Sequence, residues 1–292
     1  MGAAGGYGRM SNAALLAGFA ASAAMLVRST HRRRTHFEET HTEFHSKGLN
    51  ERHDGLRIAQ LSDIHIGLST PAARIRAAVD AVNNAKVDLV VLTGDYVTNS
   101  MRPVPKISHL LSGLRAPVFA VLGNHDHWVD ANGVAMHLQR IGCTVLRNEH
   151  TVFQVKGAPL HIIGVDDERS GHDDVNAAFA GVPKTGSRLV LTHMPPTVRK
   201  LPKNAGLLCL AGHTHGGQIE LGRLTSKVFH RLGQPYVRGM HEVNGNFLYV
   251  NRGLGYGIGG AALRVGSRPE VSYFTLRQPV THHTSSPSGR KR

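Results

Sequence analysis

The sequence LRIAQLSDIH (residues 56–65) joins a short apolar run to a polar end that carries an aspartate and a histidine. Five more apolar runs follow downstream, and each is also followed by polar residues. They are VDLVVLTGD (87–95), APVFAVLGNHD (116–126), APLHIIGVDD (158–167), SRLVLTHMP (187–195) and GLLCLAGHTH (206–215). Short apolar runs bounded by polar residues predict buried strands that end in loops. We therefore expect strands that each deliver polar side chains at one end.

Helical patterns lie between these predicted strands. Ser69, Thr70 and Pro71 supply a capping residue and a first-turn proline, and apolar side chains follow at helical spacing. The remaining predicted elements are helices at 134–138 and 174–179 and strands at 247–251 and 271–276. Such an alternation of strands and helices is typical of a layered α/β domain.

Residues that can bind a metal follow five of the predicted strands. The sets are Asp63 with His65, Asp95 with Asn99, Asn124-His125-Asp126, His193, and His213 with His215. In an extended segment, residues i and i+2 point to the same side, and the carboxyl ends of strands in an α/β sheet meet at one crevice. A single residue of this kind is more often a cap or a loop hydrogen-bond partner. The five sets together predict a polynuclear metal site.

This series resembles the calcineurin-like metallophosphoesterase superfamily, whose motifs are DxH, GDxxxN, GNH[ED], H and GHxH in that order. The resemblance spans about residues 55–277 and implies an α/β fold, a four-layer sandwich of two mixed β-sheets flanked by helices. It also implies a role for each site residue. Asp63, His65 and His215 would bind one metal, Asn124, His193 and His213 the other, Asp95 would bridge both, and His125 would be the catalytic histidine. For Asp126 two interpretations stay open, a carboxylate that orients His125 for catalysis and a plain loop carboxylate.

The residue types explain why a metal pair would be used. Two cations clamp the oxygens of a phosphate ester and lower the pKa of a water between them. Mixed Asp, His and Asn ligands favour Mn, Fe, Zn or Co over Ca, and the site is not reserved for Mg. His125 is expected to protonate the leaving oxygen or to stabilise the phosphoryl oxygens.

The composition limits the class of partner. The chain has 34 Lys and Arg residues against 20 Asp and Glu residues, a net charge of +14, and 5% aromatic residues. The charge permits an anionic membrane surface or a nucleic acid, and the few aromatic residues disfavour a base-stacking platform.

The detailed motif forms LSDIHIG (61–67), GDYV (94–97), AGHTHGGQI (211–219) and NRGLG (251–255) are similar to the membrane-associated YkuE/YaeI-like branch. Relatives in that branch include UDP-2,3-diacylglucosamine pyrophosphatases of lipid A assembly. We therefore expect a hydrolase of phosphodiester or pyrophosphate bonds in a phosphorylated small-molecule or lipid-linked substrate. The alternatives are a nuclease or soluble nucleotide phosphodiesterase, and a non-catalytic metal-binding module.

The ends of the chain predict three segments. Residues 1–54 hold an apolar segment (13–27), a basic linker and a lead-in strand, residues 55–278 form the catalytic domain, and residues 279–292 form a basic disordered tail. The apolar segment is shorter than the roughly 20 residues of a full membrane span. Because arginines follow it at 28 and 32–34, we expect membrane association with the catalytic domain in the cytoplasm. An exported protein with a signal peptide and a disordered N-terminal extension are the alternatives.

The segment KVFHRLGQPYVR (227–238) mixes apolar and basic residues after the last metal motif. One interpretation is a surface helix and loop that cover the sheet. The other is an amphipathic rim at which Arg231 and Arg238 bind a lipid or a nucleotide-lipid diphosphate.

Overall fold

The structure, a computed structural model, describes residues 35–46, 48–67, 70–218, 223–256, 264 and 266–279. The apolar segment 13–27 and the tail from residue 280 lie outside these ranges. Within them, no helix combines the length and the apolar character needed to span a membrane.

The elements follow the predicted alternation. The strands are β1 (Glu38–His45), β2 (Leu56–Leu61), β3 (Leu89–Thr93), β4 (Val118–Val121), β5 (Thr144–Val145), β6 (Glu149–Val155), β7 (Ala158–Gly164), β8 (Ser187–Leu191), β9 (Leu208–Ala211), β10 (Gly239–Val243), β11 (Asn246–Val250) and β12 (Glu270–Arg277). The helices are Ala72–Ala85, Val104–Leu111, Asn124–Val129, Ala131–Gln139, Val175–Ala178 and Arg223–Arg231, with 3₁₀ segments at Glu51–His53, Pro195–Lys200 and His215–Gly217. Each predicted strand and helix is present, with bounds that differ by a few residues.

The strands form two mixed sheets. The first sheet has the order β1-β12-β2-β3-β4-β5 and the second the order β10-β11-β9-β8-β7-β6. In the first sheet β12 and β2 are antiparallel, and in the second β10 with β11 and β6 with β7 are antiparallel. The remaining neighbours run parallel, for example β2 with β3 in the register Ile58↔Leu89.

The lead-in strand β1 belongs to the first sheet rather than to a separate N-terminal segment. It pairs in parallel with β12, from Glu38↔Glu270 to His45↔Arg277. The compact unit accordingly begins at Phe37, before the boundary predicted at residue 55. The lead-in strand itself was predicted, but its pairing with a strand near the other end of the chain cannot be inferred from local sequence patterns.

Side chains that alternate along each strand create the layers. On β2, Ile58 packs between the two sheets, whereas its neighbour Ala59 packs against the helices on the outer face of the first sheet. A third apolar cluster, which includes Val190 and Cys209, covers the outer face of the second sheet. The result is the expected four-layer sandwich of two mixed sheets with flanking helices.

Candidate metal centre

The loops after β2 and β9 bring the first set of ligand side chains together. Asp63, His65 and His215 each offer an atom, and these atoms lie within 4.8 Å of one another. The Nε2 atoms of His65 and His215 are 3.2 Å apart, and His215 Nε2 is 3.4 Å from an Asp63 carboxylate oxygen. All three residues are buried. They are the residues predicted to share one metal.

A second set comes from β3, β8 and β9, and so from both sheets. Atoms of Asp95, His193 and His213 also lie within 4.8 Å of one another. His193 Nε2 is 3.3 Å from Asp95 Oδ2 and 3.3 Å from His213 Nδ1. These residues match the second predicted metal site together with its bridging aspartate.

Asp95 lies between the two sets. Its Oδ2 atom is 3.3 Å from His193 Nε2 and 3.6 Å from His65 Nε2. One carboxylate oxygen is therefore within reach of ligands from both clusters, which is the arrangement that a bridging ligand requires.

Asn124 supplies an independent sign that a cation belongs here. Its side-chain oxygen is buried and has no hydrogen-bond partner among the described residues. An unsatisfied buried acceptor destabilises a fold by about 1–3 kcal/mol. A metal ion bound by this oxygen would remove that penalty, so the donor set fits two divalent transition-metal ions.

The backbone around the ligands is strained. Five ligand residues adopt the left-handed conformation that non-glycine residues avoid: Asp63, His65, Asp95, His213 and His215, with φ between 46° and 74°. Hydrogen bonds between loops hold the conformation, from the N–H of Asp63 to the carbonyl of Gly94 (3.0 Å) and from that of His65 to the carbonyl of Asp95 (2.9 Å). Backbone strain of this kind concentrates at functional sites.

Neighbouring carbonyl groups orient two of the imidazole rings. His65 Nδ1 lies 3.1 Å from the carbonyl oxygen of Val97, and His193 Nδ1 lies 2.8 Å from that of Thr93. A ring that donates its Nδ1–H to a carbonyl presents the Nε2 lone pair to the other side. Both Nε2 atoms therefore face the centre as metal ligands would.

Burial keeps three of the histidines neutral. It lowers the pKa of His65 to about 4 and that of His213 to about 3, and burial with the neighbouring His65 lowers the pKa of His215 well below its usual value. A neutral imidazole is the form that binds a metal.

Asp95 and His193 form a charged pair in the metal-free protein. Burial opposes the charge of both groups. The attraction of Asp95 nevertheless raises the pKa of His193 well above its usual value, and that of His193 lowers the pKa of Asp95. A bound cation would replace the proton of His193 as the partner of the Asp95 carboxylate.

His125 lies beside the centre but belongs to neither ligand cluster. Its ring meets the His65 ring edge-on at 5.1 Å, and its backbone N–H donates to Asp95 Oδ1 at 3.0 Å. The side chain is half-buried and so remains reachable from solvent. This position suits a group that exchanges a proton with a bound substrate.

Asp126 does not orient the His125 ring, and that interpretation is corrected. Its two carboxylate oxygens accept backbone N–H groups of the loops around the centre. The donors are the N–H groups of Gly123, Asp95, Tyr96 and Val97, at 2.9–3.3 Å. The His125 ring is held instead by the Thr98 carbonyl. Asp126 is thus a loop carboxylate that fixes the backbone of the bridging residue.

Three nearby residues were not singled out from the sequence. Trp128 is 57% exposed and its ring lies 4.8 Å from that of His125. Arg264 Nη2 lies 3.0 Å from His215 Nδ1, and Ser62 donates to Asp63 at 2.7 Å. Trp128 is the only tryptophan of the chain and closely follows the GNHD motif, so its position in the sequence could have indicated that it lies near the site. Arg264 has no such motif.

Arg231 and Arg238 lie outside both ligand clusters. Arg231 ends the Arg223–Arg231 helix and Arg238 precedes β10, and both are exposed. A substrate-binding role for them therefore stays a proposal.

Comparison with known proteins agrees with this geometry. Residues 56–217 match the family described as calcineurin-like phosphoesterase. The chain is 32% identical over 230 residues to the uncharacterized metallophosphoesterase YkuE of Bacillus subtilis (strain 168), which covers 77% of this chain and 80% of that protein.

Two further relatives carry named activities. The phosphodiesterase YaeI of Escherichia coli (strain K12) is 32% identical over 227 residues, which covers 75% of this chain and 82% of that protein. The UDP-2,3-diacylglucosamine pyrophosphatase LpxG of Chlamydia trachomatis is 28% identical over 273 residues, which covers 74% of this chain and 82% of that protein. The chain belongs to the calcineurin-like phosphoesterase family and is a phosphoester hydrolase with a dinuclear metal site.

Proposed function

We propose that this hydrolase cleaves the phosphodiester or pyrophosphate bond of a lipid-linked substrate such as UDP-2,3-diacylglucosamine. The observation that carries the proposal is the position of Asp95 between the two ligand clusters. Asp63, His65 and His215 would hold one ion, and Asn124, His193 and His213 the other. When bound, the two ions would polarise the phosphoryl oxygens and make water a stronger nucleophile.

The residues of the chain would supply the proton and the orientation. The His125 ring contacts the His65 ring at the edge of the metal centre. His125 would give its proton to the leaving oxygen, and this would lower the barrier to bond cleavage. Asp126 would keep the loop of Asp95 in place through its four backbone hydrogen bonds.

Arg264 supports a substrate with a second phosphate. Its Nη1 atom is buried and has no hydrogen-bond partner among the described residues, and its Nη2 atom lies beside His215. In a phosphodiester the metal pair would bind the single phosphate group. A pyrophosphate has a second phosphate group, and a further cation would balance the charge of that group. A guanidinium group binds phosphate oxygens strongly.

A lipid-linked substrate is supported by the name of the relative LpxG and by the apolar segment 13–27. We place the enzyme at an anionic membrane surface, with the catalytic unit on the cytoplasmic side, because Arg28 and Arg32 to Arg34 follow that segment.

A panel of substrates tests this function. Manganese-loaded protein and its Asp95→Asn variant are assayed with UDP-2,3-diacylglucosamine, bis-p-nitrophenyl phosphate and single-stranded DNA. The expected result is Asp95-dependent turnover that is highest on UDP-2,3-diacylglucosamine. Preference for DNA, together with binding that weakens steeply as salt is raised, would identify a nuclease instead.

A further inference from the structure

The Arg223–Arg231 helix exposes an apolar stripe to solvent. Leu224, Val228 and Leu232 are 56%, 44% and 70% exposed. They are spaced four residues apart, and the N–H of Leu232 donates to the carbonyl of Val228 at 3.1 Å, so the helical geometry continues to Leu232. Residues at this spacing lie on one face of a helix. Single exposed apolar residues are common on protein surfaces. Three of them on one helix face form a contiguous apolar surface of the kind that binds a partner.

The neighbouring row of the same helix fixes its orientation. Thr225 is buried and Phe229 is half-buried. Both pack over Gly217, where a Cβ atom would overlap the Thr225 methyl group and lie 3.7 Å from the Phe229 ring. Gly217 follows the ligand His215 by two residues. The helix is therefore seated beside the metal centre with its apolar stripe facing away from the protein.

The charge of the segment that carries the stripe is mostly positive. Residues 220–242 include four cations, and the two carboxylates, Glu220 and Glu242, lie at the ends of the segment. The cations are Arg223, Lys227, Arg231 and Arg238. Lys227 and Arg231 are exposed on the same helix as the stripe. Apolar side chains flanked by cations match the two layers of an anionic lipid surface, its acyl region and its phosphate groups.

From this geometry we infer that residues 223–232 dock the enzyme on a bilayer that contains anionic lipids. Leu224, Val228 and Leu232 enter the interface, and Lys227 and Arg231 contact lipid phosphates. The inference rests on the proposed function in one respect, because it places the metal centre at the surface where a lipid-linked substrate lies. Arg231 then serves the lipid surface rather than the reacting phosphate.

A fluorescent label tests the docking without any need for turnover. Because Cys143 and Cys209 are both buried, a cysteine introduced as Leu232→Cys can be labelled selectively with an environment-sensitive dye. The matched control is Gln139→Cys, an exposed position on the Ala131–Gln139 helix. Both are made in the full chain, so any attachment through residues 13–27 is common to the two.

The labelled proteins are mixed with vesicles of phosphatidylcholine, with and without phosphatidylglycerol. We expect the emission of the label at 232 to shift to the blue with phosphatidylglycerol only, and the label at 139 to stay unchanged. Lys227→Glu with Arg231→Glu should abolish the shift. An unshifted label at 232 would overturn the inference, and so would a shift that grows with protein concentration in the absence of vesicles, which would indicate a second copy of the chain on the stripe.

An activity measurement separates this inference from the proposed function. Leu224→Ser with Val228→Ser should lower the rate on UDP-2,3-diacylglucosamine in vesicles and leave the rate on soluble bis-p-nitrophenyl phosphate unchanged. A label that inserts while the lipid-linked substrate is not cleaved would remove the proposed substrate but retain the docking. Cleavage of that substrate without insertion would retain the function and remove the docking.

Discussion

The Nδ1 atom of His125 lies 2.6 Å from the carbonyl oxygen of Thr98. A carbonyl can only accept a hydrogen bond, so the ring carries a proton on Nδ1. In the proposed mechanism the Nε2 atom is then the one that exchanges a proton with the substrate. The contact supports the proposal that His125 transfers a proton and that the two clusters bind the metal ions.

Replacement of this histidine should separate catalysis from metal binding. We expect His125→Ala to retain both ions and to lose turnover by about 10²–10⁴-fold, because a positioned acid contributes that much to the rate. The measurement is metal content beside initial rate on bis-p-nitrophenyl phosphate. His109→Ala, an exposed histidine on the Val104–Leu111 helix, is the control and should keep full turnover. Loss of an ion from His125→Ala would show that the residue is a ligand.

The unsatisfied oxygen of Asn124 gives a prediction about stability. Asn124→Leu removes a buried acceptor that has no partner among the described residues. We expect the metal-free variant to be at least as stable as the wild-type protein, since the penalty of about 1–3 kcal/mol disappears. Metal should stabilise the wild type strongly and the variant much less. Equal metal-induced increases in the melting temperature would contradict the assignment of Asn124 as a ligand.

The free energy of unfolding of the metal-free protein should decrease as the pH is lowered. His65 and His213 stay neutral in the folded state to about pH 4 and 3, whereas both bind protons below about pH 6.5 in the unfolded chain. Between these values the unfolded state binds more protons, so acidification reduces the free energy of unfolding, by about 1.4 kcal/mol per pH unit for each histidine. Burial also lowers the pKa of His215, which acts in the same direction. The pKa of Asp63, raised by burial to about 6, and that of Asp126, raised by burial to about 8, act in the opposite direction, so the net slope is that of about one histidine.

Urea unfolding of chelator-treated protein at several pH values measures this slope. The His213→Asn variant has one titrating histidine fewer, so its free energy of unfolding should depend less steeply on pH. An identical slope in the variant and the wild type would mean that His213 is not held neutral by burial.

Gly123 should be as sensitive as a ligand although it has no side chain. A Cβ atom at this position would overlap Asp95 Oδ1. Gly123→Ala is therefore expected to displace the bridging carboxylate and to lower metal content and turnover together. Gly48→Ala, where the nearest atoms lie 3.9 Å from the new Cβ, is the matched control. A fully active Gly123→Ala protein would show that the loop of Asp95 can shift without loss.

The metal ligands could be predicted because their signal is local. Asp63 and His65 lie two residues apart at the end of an apolar run, and His213 and His215 repeat that pattern. The alternation of apolar runs and helical patterns likewise predicted a layered α/β domain, whereas the two-sheet sandwich was implied by the resemblance to the calcineurin-like superfamily. The ligand and strand patterns each lie within a short stretch of chain, so no knowledge of distant contacts was required for them.

The remaining features depend on contacts between residues that are distant in the sequence, and a short stretch of sequence does not show such contacts. Asp126 accepts hydrogen bonds from backbone N–H groups. Because every non-proline residue has such a group, residue types do not reveal these contacts. Arg264 reaches His215 from 49 residues away. Likewise, the sequence of 227–238 allowed either a covering helix or an amphipathic rim. The exposure of Leu224 and Leu232, which supports the proposed rim, depends on how the helix packs and is not visible in the sequence.

The most direct test of the account is the electron paramagnetic resonance spectrum of the manganese-loaded protein, read beside its manganese content. Because Asp95 Oδ2 lies within reach of His65 and of His193, we expect two ions per chain that share a bridging ligand and give a spin-coupled spectrum. Asp95→Asn should lose the coupling. A single bound ion, or two ions with the uncoupled spectrum of isolated manganese in the wild-type protein, would contradict the dinuclear centre.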